Sequence, residues 1–541
     1  MTLTSVQTAP FMDQKPGTSG LRKKTRVFME DHYLENFVQA IFEGIGGVKG
    51  KTLVVGGDGR FYNDRATEII VRMAAANGAA KVVAGQNGLL STPAASHLIR
   101  SLKTDGGIIL SASHNPGGID EDFGIKFNMP NGGPAPENVT NAIFEVTKSI
   151  TSYKMYQGGT VDLGAVGYSA LGDMQVEIVD PVTAYVDLMQ SLFDFAAIKK
   201  MISEGTDIRF DAMNAITGPY ASAIIEDLLG AQKGSVVHGT PLPDFGGMHP
   251  DPNPTWAHEL MDEMMGEAAP AFGCASDGDG DRNMIVGPKC YVSPSDSLAV
   301  IAANATVAPG YAQGLKGVAR SMPTSAAVDR VADALGLECY ETPTGWKFFG
   351  NLMDDGRVSL CGEESFGTGS DHVREKDGVW AVLMWLNIMA HTGKSVPELM
   401  QDHWAKFGRN YYSRHDFEAI ESDKADAMIA NLRSKLSDLS GQSFEDLVVE
   451  TADDYSYLDP VDGSTSAHQG VRVVFKGGAR FVVRLSGTGT SGATLRLYVE
   501  KLDLKNFDQD PQTALADVIA VAHKIVQIEQ FSGRSTPDVI T

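Results

Sequence analysis

Gly107-Ile108-Ile109-Leu110-Ser111-Ala112-Ser113-His114-Asn115-Pro116-Gly117-Gly118 is the stretch whose reading decides the fold. A short apolar run ending in Ser-x-Ser and then Asn-Pro-Gly-Gly reads as a buried strand breaking into a turn, with hydroxyls displayed at the strand's carboxyl end. Open α/β sheets place their ligands at that edge. Taken alone, these serines and the asparagine would be satisfied by ordinary turn hydrogen bonds. The rest of the chain argues for more.

Working outward, Thr52-Leu53-Val54-Val55 predicts a strand from its β-branched content and runs into Gly56-Gly57-Asp58-Gly59. Residues 64–76 carry Ala66, Ile69, Ile70 and Met73 on one helical face and stop at Asn77-Gly78. Val82-Val83 predicts a second strand, residues 93–102 a second helix, and residues 108–110 the strand that leads to Ser113. The rhythm then returns twice. Strand 207–213, helix 219–229, strand 236–237, helix 256–265 and strand 271–274 open into Asp277-Gly278-Asp279-Gly280-Asp281-Arg282. Strand 316–320, helix 325–335, strand 338–341 and strand 358–361 open into Gly362-Glu363-Glu364-Ser365-Phe366-Gly367. Segments 71–83, 225–237 and 330–340 share an apolar helix, a glycine stop and a short strand, which predicts three related α/β units.

Past residue 405 the texture changes to an amphipathic helix over 423–436, strands at 471–475, 481–485 and 494–499, and a closing helix over 513–530. This pattern predicts a separate α+β domain. The expected architecture is α/β, with domains at 1–181, 182–292, 293–404 and 405–541.

Composition narrows the function. The 541 residues carry a formal charge of −23, which argues against a nucleic-acid or membrane-surface partner. No apolar run reaches the ~18 residues of a membrane span, and Met1–Pro10 has no secretory pattern. Cys274, Cys290, Cys339 and Cys361 form no Cys-x-x-Cys pair and no disulfide framework, so a cytoplasmic protein is expected. An anionic substrate would need local Arg, Lys and N–H groups working against the overall field.

Such clusters exist. Asp277, Asp279 and Asp281 alternate with glycine, so a tight loop can turn three hard oxygen ligands to one point, a set that suits Mg²⁺. An EF-hand is disfavoured because its sixth and twelfth positions would be Arg282 and Pro288. The Arg484-Leu485-Ser486-Gly487-Thr488-Gly489-Thr490-Ser491-Gly492 turn, flanked by Arg484 and Arg496, offers hydroxyls, N–H groups and guanidinium forks for a bare phosphate. It lacks a Walker ending and lies between strands. Glu363 and Ser365 sit on a glycine-hinged turn as acceptors for sugar hydroxyls, and Thr344-Gly345-Trp346-Lys347 could turn a group toward a ring or a phosphate. Against this, a Trp at such a place more often packs in a core. Lys15-Pro16-Gly17-Thr18-Ser19-Gly20-Leu21-Arg22-Lys23-Lys24 is a basic turn with phosphate donors.

Five motifs in this order resemble the α-D-phosphohexomutases, in their longer phosphoglucomutase form. They are Thr18-Ser19-Gly20-Leu21-Arg22, Ala112 to Gly118, Asp277 to Arg282, Gly362 to Gly367 and Arg484 to Thr490, and the resemblance spans nearly the whole chain. It implies four domains around a central cleft and interconversion of glucose 1-phosphate and glucose 6-phosphate through a phosphoserine and glucose 1,6-bisphosphate. By resemblance Ser113 is the phosphorylated serine, and Asp277, Asp279 and Asp281 hold Mg²⁺ with a phosphoserine oxygen. Glu363 and Ser365, with Thr344, Gly345, Lys347 and Arg282, meet the substrate. Arg484, Ser486, Gly487, Thr488, Thr490 and Arg496 hold the idle phosphate, and Arg22, His114, Lys126 and Lys376 surround the reacting one. Ser111 stands where the family usually has Thr, which keeps the hydroxyl. The general base is left open among His114, Lys126 and Lys376. A small sugar phosphate is the expected partner and a monomer or weak dimer the expected state. Mannose or glucosamine phosphate, a phosphatase outcome and a non-catalytic scaffold are the alternatives.

Overall fold

In the computed structural model, which describes residues 2–17, 19–158, 161–489 and 492–541, the three predicted repeats share one strand order. In the first unit, Lys81–Leu89, Thr52–Gly57 and Gly107–Leu110 lie parallel, and Asp122–Asn128 returns antiparallel beside Gly107–Leu110. Val236–Val237, Ile208–Asp211, Phe272–Ser276 and Asn283–Gly287 repeat that order in the second unit. Cys339–Thr342, Val318–Ser321, Leu360–Glu363 and Gly367–Ser370 repeat it in the third. The turn from the third strand to its antiparallel partner is therefore equivalent in all three units. It carries Ser113 in the first, Asp277–Arg282 in the second and Glu364–Phe366 in the third.

The first unit has its own core, and its sheet is widened to seven strands by Leu21–Lys24, Met174–Val179 and Gly167–Leu171. The second and third share a single core. Their common element is the helix Gly378–Thr392, buried without interruption from Gly378 to Met389. A helix apolar all round has no solvent face and must sit between layers. The fourth unit is a seven-stranded antiparallel sheet, and the helices Ser422–Leu439 and Ala516–Val526 share its core. Tyr412 and Tyr455 donate to the carbonyls of Pro323 and Glu341 in the third unit, at 2.8 and 2.7 Å. Arg480 bonds Glu500 at 2.6 Å and the carbonyl of Met322 at 3.1 Å. The bonds to Pro323, Glu341 and Met322 join the fourth unit to the third.

Several local expectations need correction. The strand expected over 207–213 is Ile208–Asp211, because Met213 and Asn214 take φ of 52° and 51° and turn the chain. The helix expected over 219–229 is Thr217–Ala221 continuing as a π-helical stretch, Ser222–Leu228. The closing helix is three pieces, Pro511–Ala514, Ala516–Val526 and Ile528–Ser532, with Gln527 in the left-handed region between the last two. Its apolar stripe runs across the breaks, so the sequence reads as one helix. Thr2–Gln7 pairs with Ser152–Gln157 in a ribbon the sequence did not signal. All four cysteines are free. Among the described residues, no helix is long and apolar enough to cross a membrane.

Candidate active site

Ser113 lies just past the carboxyl end of the strand Gly107–Leu110, 4% exposed on the lining of a cavity. Its φ is +53°, an unfavourable region for a non-glycine residue that has to be held by its surroundings. Both backbone polar groups of Ser113 are held. Its N–H donates to Ser111 Oγ at 2.7 Å, and its carbonyl accepts from Arg60 Nη2 at 2.9 Å. Arg60 is itself fully buried, paired with Asp58 at 2.9 Å, donating to the Asp122 carbonyl at 2.7 Å and lying over the Phe245 ring. From the second unit, Gly278 packs so closely that a Cβ there would collide with the Ser113 carbonyl oxygen. Only glycine lets the two turns meet.

That contact brings the aspartates to the serine. Ser113 Oγ donates to Asp277 Oδ2 at 2.9 Å, and one oxygen from each of Asp277, Asp279 and Asp281 lies within 4.8 Å of the others. All three residues are buried. Asp277 Oδ1 takes the N–H groups of Asp281 and Arg282, at 2.9 and 3.0 Å. Asp279 Oδ2 takes the Thr92 hydroxyl at 2.6 Å, while Asp279 Oδ1 and Asp281 Oδ1 have no hydrogen-bond partner. Burial, then Asp281 and Asp279, pushes the Asp277 carboxyl well above its ordinary value. Burial acts the same way on Asp279, but Lys126 and the Thr92 hydroxyl outweigh it and bring that group to about 2. Orphaned carboxylate oxygens among mutually repelling buried charges fit a metal ion, and an all-oxygen donor set suits a hard one.

The cations gather on the same cavity, which has a volume of about 330 Å³ and takes residues from all four units. Arg22, Lys126, Arg282, Lys347, Lys376, Arg484 and Arg496 all reach its lining, as do Thr344, Gly345, Glu363 and Ser365. Lys126 pairs with Glu375 at 3.0 Å and Lys376 with Asp281 at 3.2 Å. Burial pulls both lysines down, yet Glu375 for the first and Asp281 for the second leave their pKa raised. His114 adjoins Ser113, with Nδ1 3.4 Å from Ser113 Oγ. Burial, and then Arg282 and Arg22, drives its pKa well below the usual imidazole range. Nε of Arg22 and of Arg496 is buried without a hydrogen-bond partner, as is Glu364 Oε2. Arg496 Nε still has Asp416 Oδ2 at 3.8 Å as an ion-pair partner, whereas the orphaned Arg22 Nε is a donor that a ligand on this polar cavity could satisfy. A larger cavity, about 950 Å³, opens near His32, Tyr62 and Tyr153 on the first unit, but it contains neither the serine nor the aspartates.

On the same cavity, Arg484 and Arg496 are register partners on the strands Ala479–Gly489 and Gly492–Asp503, with Ser486 opposite Thr494. Arg484 Nη1 donates to Thr344 Oγ1 at 2.7 Å and so joins the fourth unit to the third. Glu363 accepts the Gly345 N–H at 3.0 Å. Thr490 lies outside the described residues, as does the side chain of Thr488, and Gly487 falls within the first of those strands. Trp346 follows the core reading, 5% exposed and edge-on to Phe349, while its indole also edges the cavity.

Family models match in four consecutive blocks: phosphoglucomutase/phosphomannomutase alpha/beta/alpha domain I over residues 13–154, domain II over 183–289, domain III over 294–407, and the phosphoglucomutase-1 C-terminal domain over 409–538. The chain belongs to the phosphoglucomutase/phosphomannomutase family. Phosphoglucomutase of Rhizobium radiobacter is 58% identical over 541 residues, covering all of both chains. Phosphoglucomutase-1 of Homo sapiens is 52% identical over 561 residues, again with both covered completely. The crystal structure of the exocytosis-sensitive phosphoprotein pp63/parafusin, a phosphoglucomutase from Paramecium in its open form, superposes with a TM-score of 0.94. It is 47% identical and covers 100% of this chain and 99% of its own. A phosphomannomutase-type structure from Thermus thermophilus, 22% identical with a TM-score of 0.69, shares the fold.

Within this family site, sequence reasoning missed Asp58, Arg60, Thr92 and Glu375. Asp58 closed a glycine turn already noted, and Glu375 stood beside Lys376 in Arg374-Glu375-Lys376-Asp377-Gly378, but neither spacing shows what the side chain meets. Thr92 caps nothing in its own helix, where Ser91 accepts the Ala94 N–H; its hydroxyl is free for Asp279.

Proposed function

We propose that this chain interconverts glucose 1-phosphate and glucose 6-phosphate by transferring phosphoryl groups through Ser113, with glucose 1,6-bisphosphate as the intermediate. The observation that carries the reading is the Ser113 hydroxyl held on a buried aspartate triad, on a cationic cavity that the Arg484–Arg496 pair also lines.

In the forward half-reaction the phosphorylated form of Ser113 gives its phosphoryl group to the free hydroxyl of the bound hexose monophosphate. The serine P–O bond breaks, a sugar P–O bond forms, and the sugar hydroxyl loses its proton to a base. The bisphosphate then turns end over end and returns its other phosphoryl group to Ser113. Transfer of this kind is mostly positioning and electrostatic stabilisation. Lys126, Lys376, Arg22 and Arg282 surround the reacting oxygens, and Arg484 and Arg496 grip the idle phosphate in both halves. Glu363 and Ser365 accept sugar hydroxyls in two orientations beside Thr344, Gly345 and Lys347, and we assign Ser486, Gly487, Thr488 and Thr490 to the idle phosphate with Arg484 and Arg496. His114 is the base we assign: its Nδ1 lies beside Ser113 Oγ, whereas Lys126 and Lys376 are engaged by Glu375 and Asp281. Asp277, Asp279 and Asp281 would hold Mg²⁺, which when bound neutralises charge on the transferring group and on the serine oxygen.

We take the units as 1–181, 182–292, 293–404 and 405–541, and the protein as a cytoplasmic monomer or weak dimer acting on small sugar phosphates. A coupled assay with Mg²⁺, glucose 1-phosphate and a trace of glucose 1,6-bisphosphate, run beside Ser113→Ala, tests the reading. Isomerisation lost in the variant, without release of phosphate, supports it. Release of phosphate in place of isomerisation would replace it with a phosphatase.

A further inference from the structure

Residues 370–377 form a strap that leads from the strand Gly367–Ser370 of the third unit into the buried helix Gly378–Thr392. Its side chains are tied to three units. Arg374 takes Asp354 at 2.6 Å, and its N–H donates to Ser96 Oγ at 3.0 Å. Asp377 accepts the Tyr185 hydroxyl at 2.5 Å and the Trp380 N–H at 3.0 Å, and it also meets His372 Nε2 at 2.9 Å. Between these anchors Glu375, 2% exposed, receives Lys126 Nζ at 3.0 Å and Asn128 Nδ2 at 2.9 Å on one oxygen. Lys126 and Asn128 both belong to the first unit's antiparallel strand, Asp122–Asn128.

We propose that Glu375 is a positioning residue: carried on the rigid strap of the third unit, its carboxylate fixes Lys126 of the first unit at the cavity wall where the phosphoryl group is transferred. The lysine is thus in place only when the two units are docked. This rests on the reading of Lys126 as a cation at the reacting phosphoryl. Without Glu375, the carboxylates left in the field of Lys126 are Asp279 and Asp281. A lysine leaning on them opposes the binding of a cation, so the carboxylate keeps the metal triad and the lysine apart.

The test is a cycle of Glu375→Gln, Lys126→Met and the double variant in the full-length protein. It reads kcat and KM for glucose 1-phosphate, and Mg²⁺ affinity by titration calorimetry. Misplacing one catalytic group by about 1 Å can cost ~10²-fold, so Glu375→Gln is expected to lower kcat roughly 10- to 100-fold with KM within about threefold. It is also expected to weaken Mg²⁺ binding, and the double variant should be no slower than Lys126→Met and should regain Mg²⁺ affinity. Losses that multiply in the double variant, or an unchanged kcat in Glu375→Gln, overturn the proposal while leaving Lys126 in its role. A silent Lys126→Met overturns the reading of Lys126 itself, and the proposal with it. If Glu375→Gln does not fold because a buried lysine is left unpaired, the double variant, which carries neither charge, must fold; failure of both makes Glu375 a structural residue and ends the proposal.

Discussion

Replacing Arg60 with leucine isolates the device that holds the Ser113 backbone. Arg60 and Asp58 have no side-chain exposure and lie 2.9 Å apart. Removing one member of a buried pair leaves an uncompensated charge and costs about 3–5 kcal/mol. The carbonyls of Ser113 and Asp122 lose their donors as well, at about 1–3 kcal/mol for each that stays buried. Some of this overlaps, because an Asp58 left alone can take up a proton, and burial already pushes its carboxyl upward. A loss of about 4 kcal/mol in the first unit is the working figure. The double variant Asp58→Asn/Arg60→Leu removes both charges and should recover at least half of that loss. It should not recover kcat, because the Ser113 carbonyl still lacks its donor and the +53° conformation its anchor. Urea unfolding of the first transition, followed alongside kcat, measures both quantities. A loss below ~1 kcal/mol in Arg60→Leu, or a double variant no more stable than the single one, would refute the reasoning.

In chelator, Asp277→Asn is expected to unfold later than wild type, by about 1 kcal/mol, because it removes one of three mutually repelling buried charges and keeps its backbone hydrogen bonds. Mg²⁺ at 100 times its dissociation constant should stabilise wild type by about 2.7 kcal/mol and the variant far less; an unchanged order in thermal unfolding with and without the metal contradicts this. Arg484→Met should reduce kcat/KM roughly 10- to 100-fold, the worth of a charge-assisted contact, with the loss carried mainly by KM because the idle phosphate is gripped throughout the cycle. A loss confined to kcat would place Arg484 at the reacting group instead. Burial, helped by Arg330 and Lys406, holds His403 at about 4, against ~6.5 when unfolded. The unfolded chain therefore binds the extra proton between those values, so this stabilisation is complete above pH ~6.5 and lost as pH falls toward 4, about 3 kcal/mol in all. His403→Gln should flatten the urea midpoint over that window, and an unchanged slope argues against it.

The positions of the candidate site were legible because each falls at the same turn of a repeated strand order, and such turns write themselves in glycine, aspartate and hydroxyl residues after a short apolar run. Ser113, Asp277–Arg282 and Glu363–Phe366 were found that way. Arg484 and Arg496 were found as a pair because a hairpin brings them together from neighbouring strands. What the sequence hid was contact across units. Arg60 reads as an ordinary turn residue, and only the fold brings its guanidinium under the Ser113 carbonyl. Glu375 is separated by 249 residues from the lysine it meets. The helix Gly378–Thr392 shows no face in its pattern because it has none, and its burial between two units was the missing reason. The breaks at Ser222 and Gln527 escaped because apolar spacing continues through a π-helical turn or a single left-handed residue.

Ser113 is the proposed covalent carrier, and single-turnover transfer of label tests that most directly. The protein is phosphorylated with labelled glucose 1,6-bisphosphate, freed of small molecules, mixed with unlabelled glucose 1-phosphate and Mg²⁺, and quenched over milliseconds to seconds. Label is expected on the peptide containing Ser113 at the start, then in glucose bisphosphate as the peptide loses it, with none taken up by Ser113→Ala. Label on another residue, or released as free phosphate as fast as it leaves the protein, would contradict it.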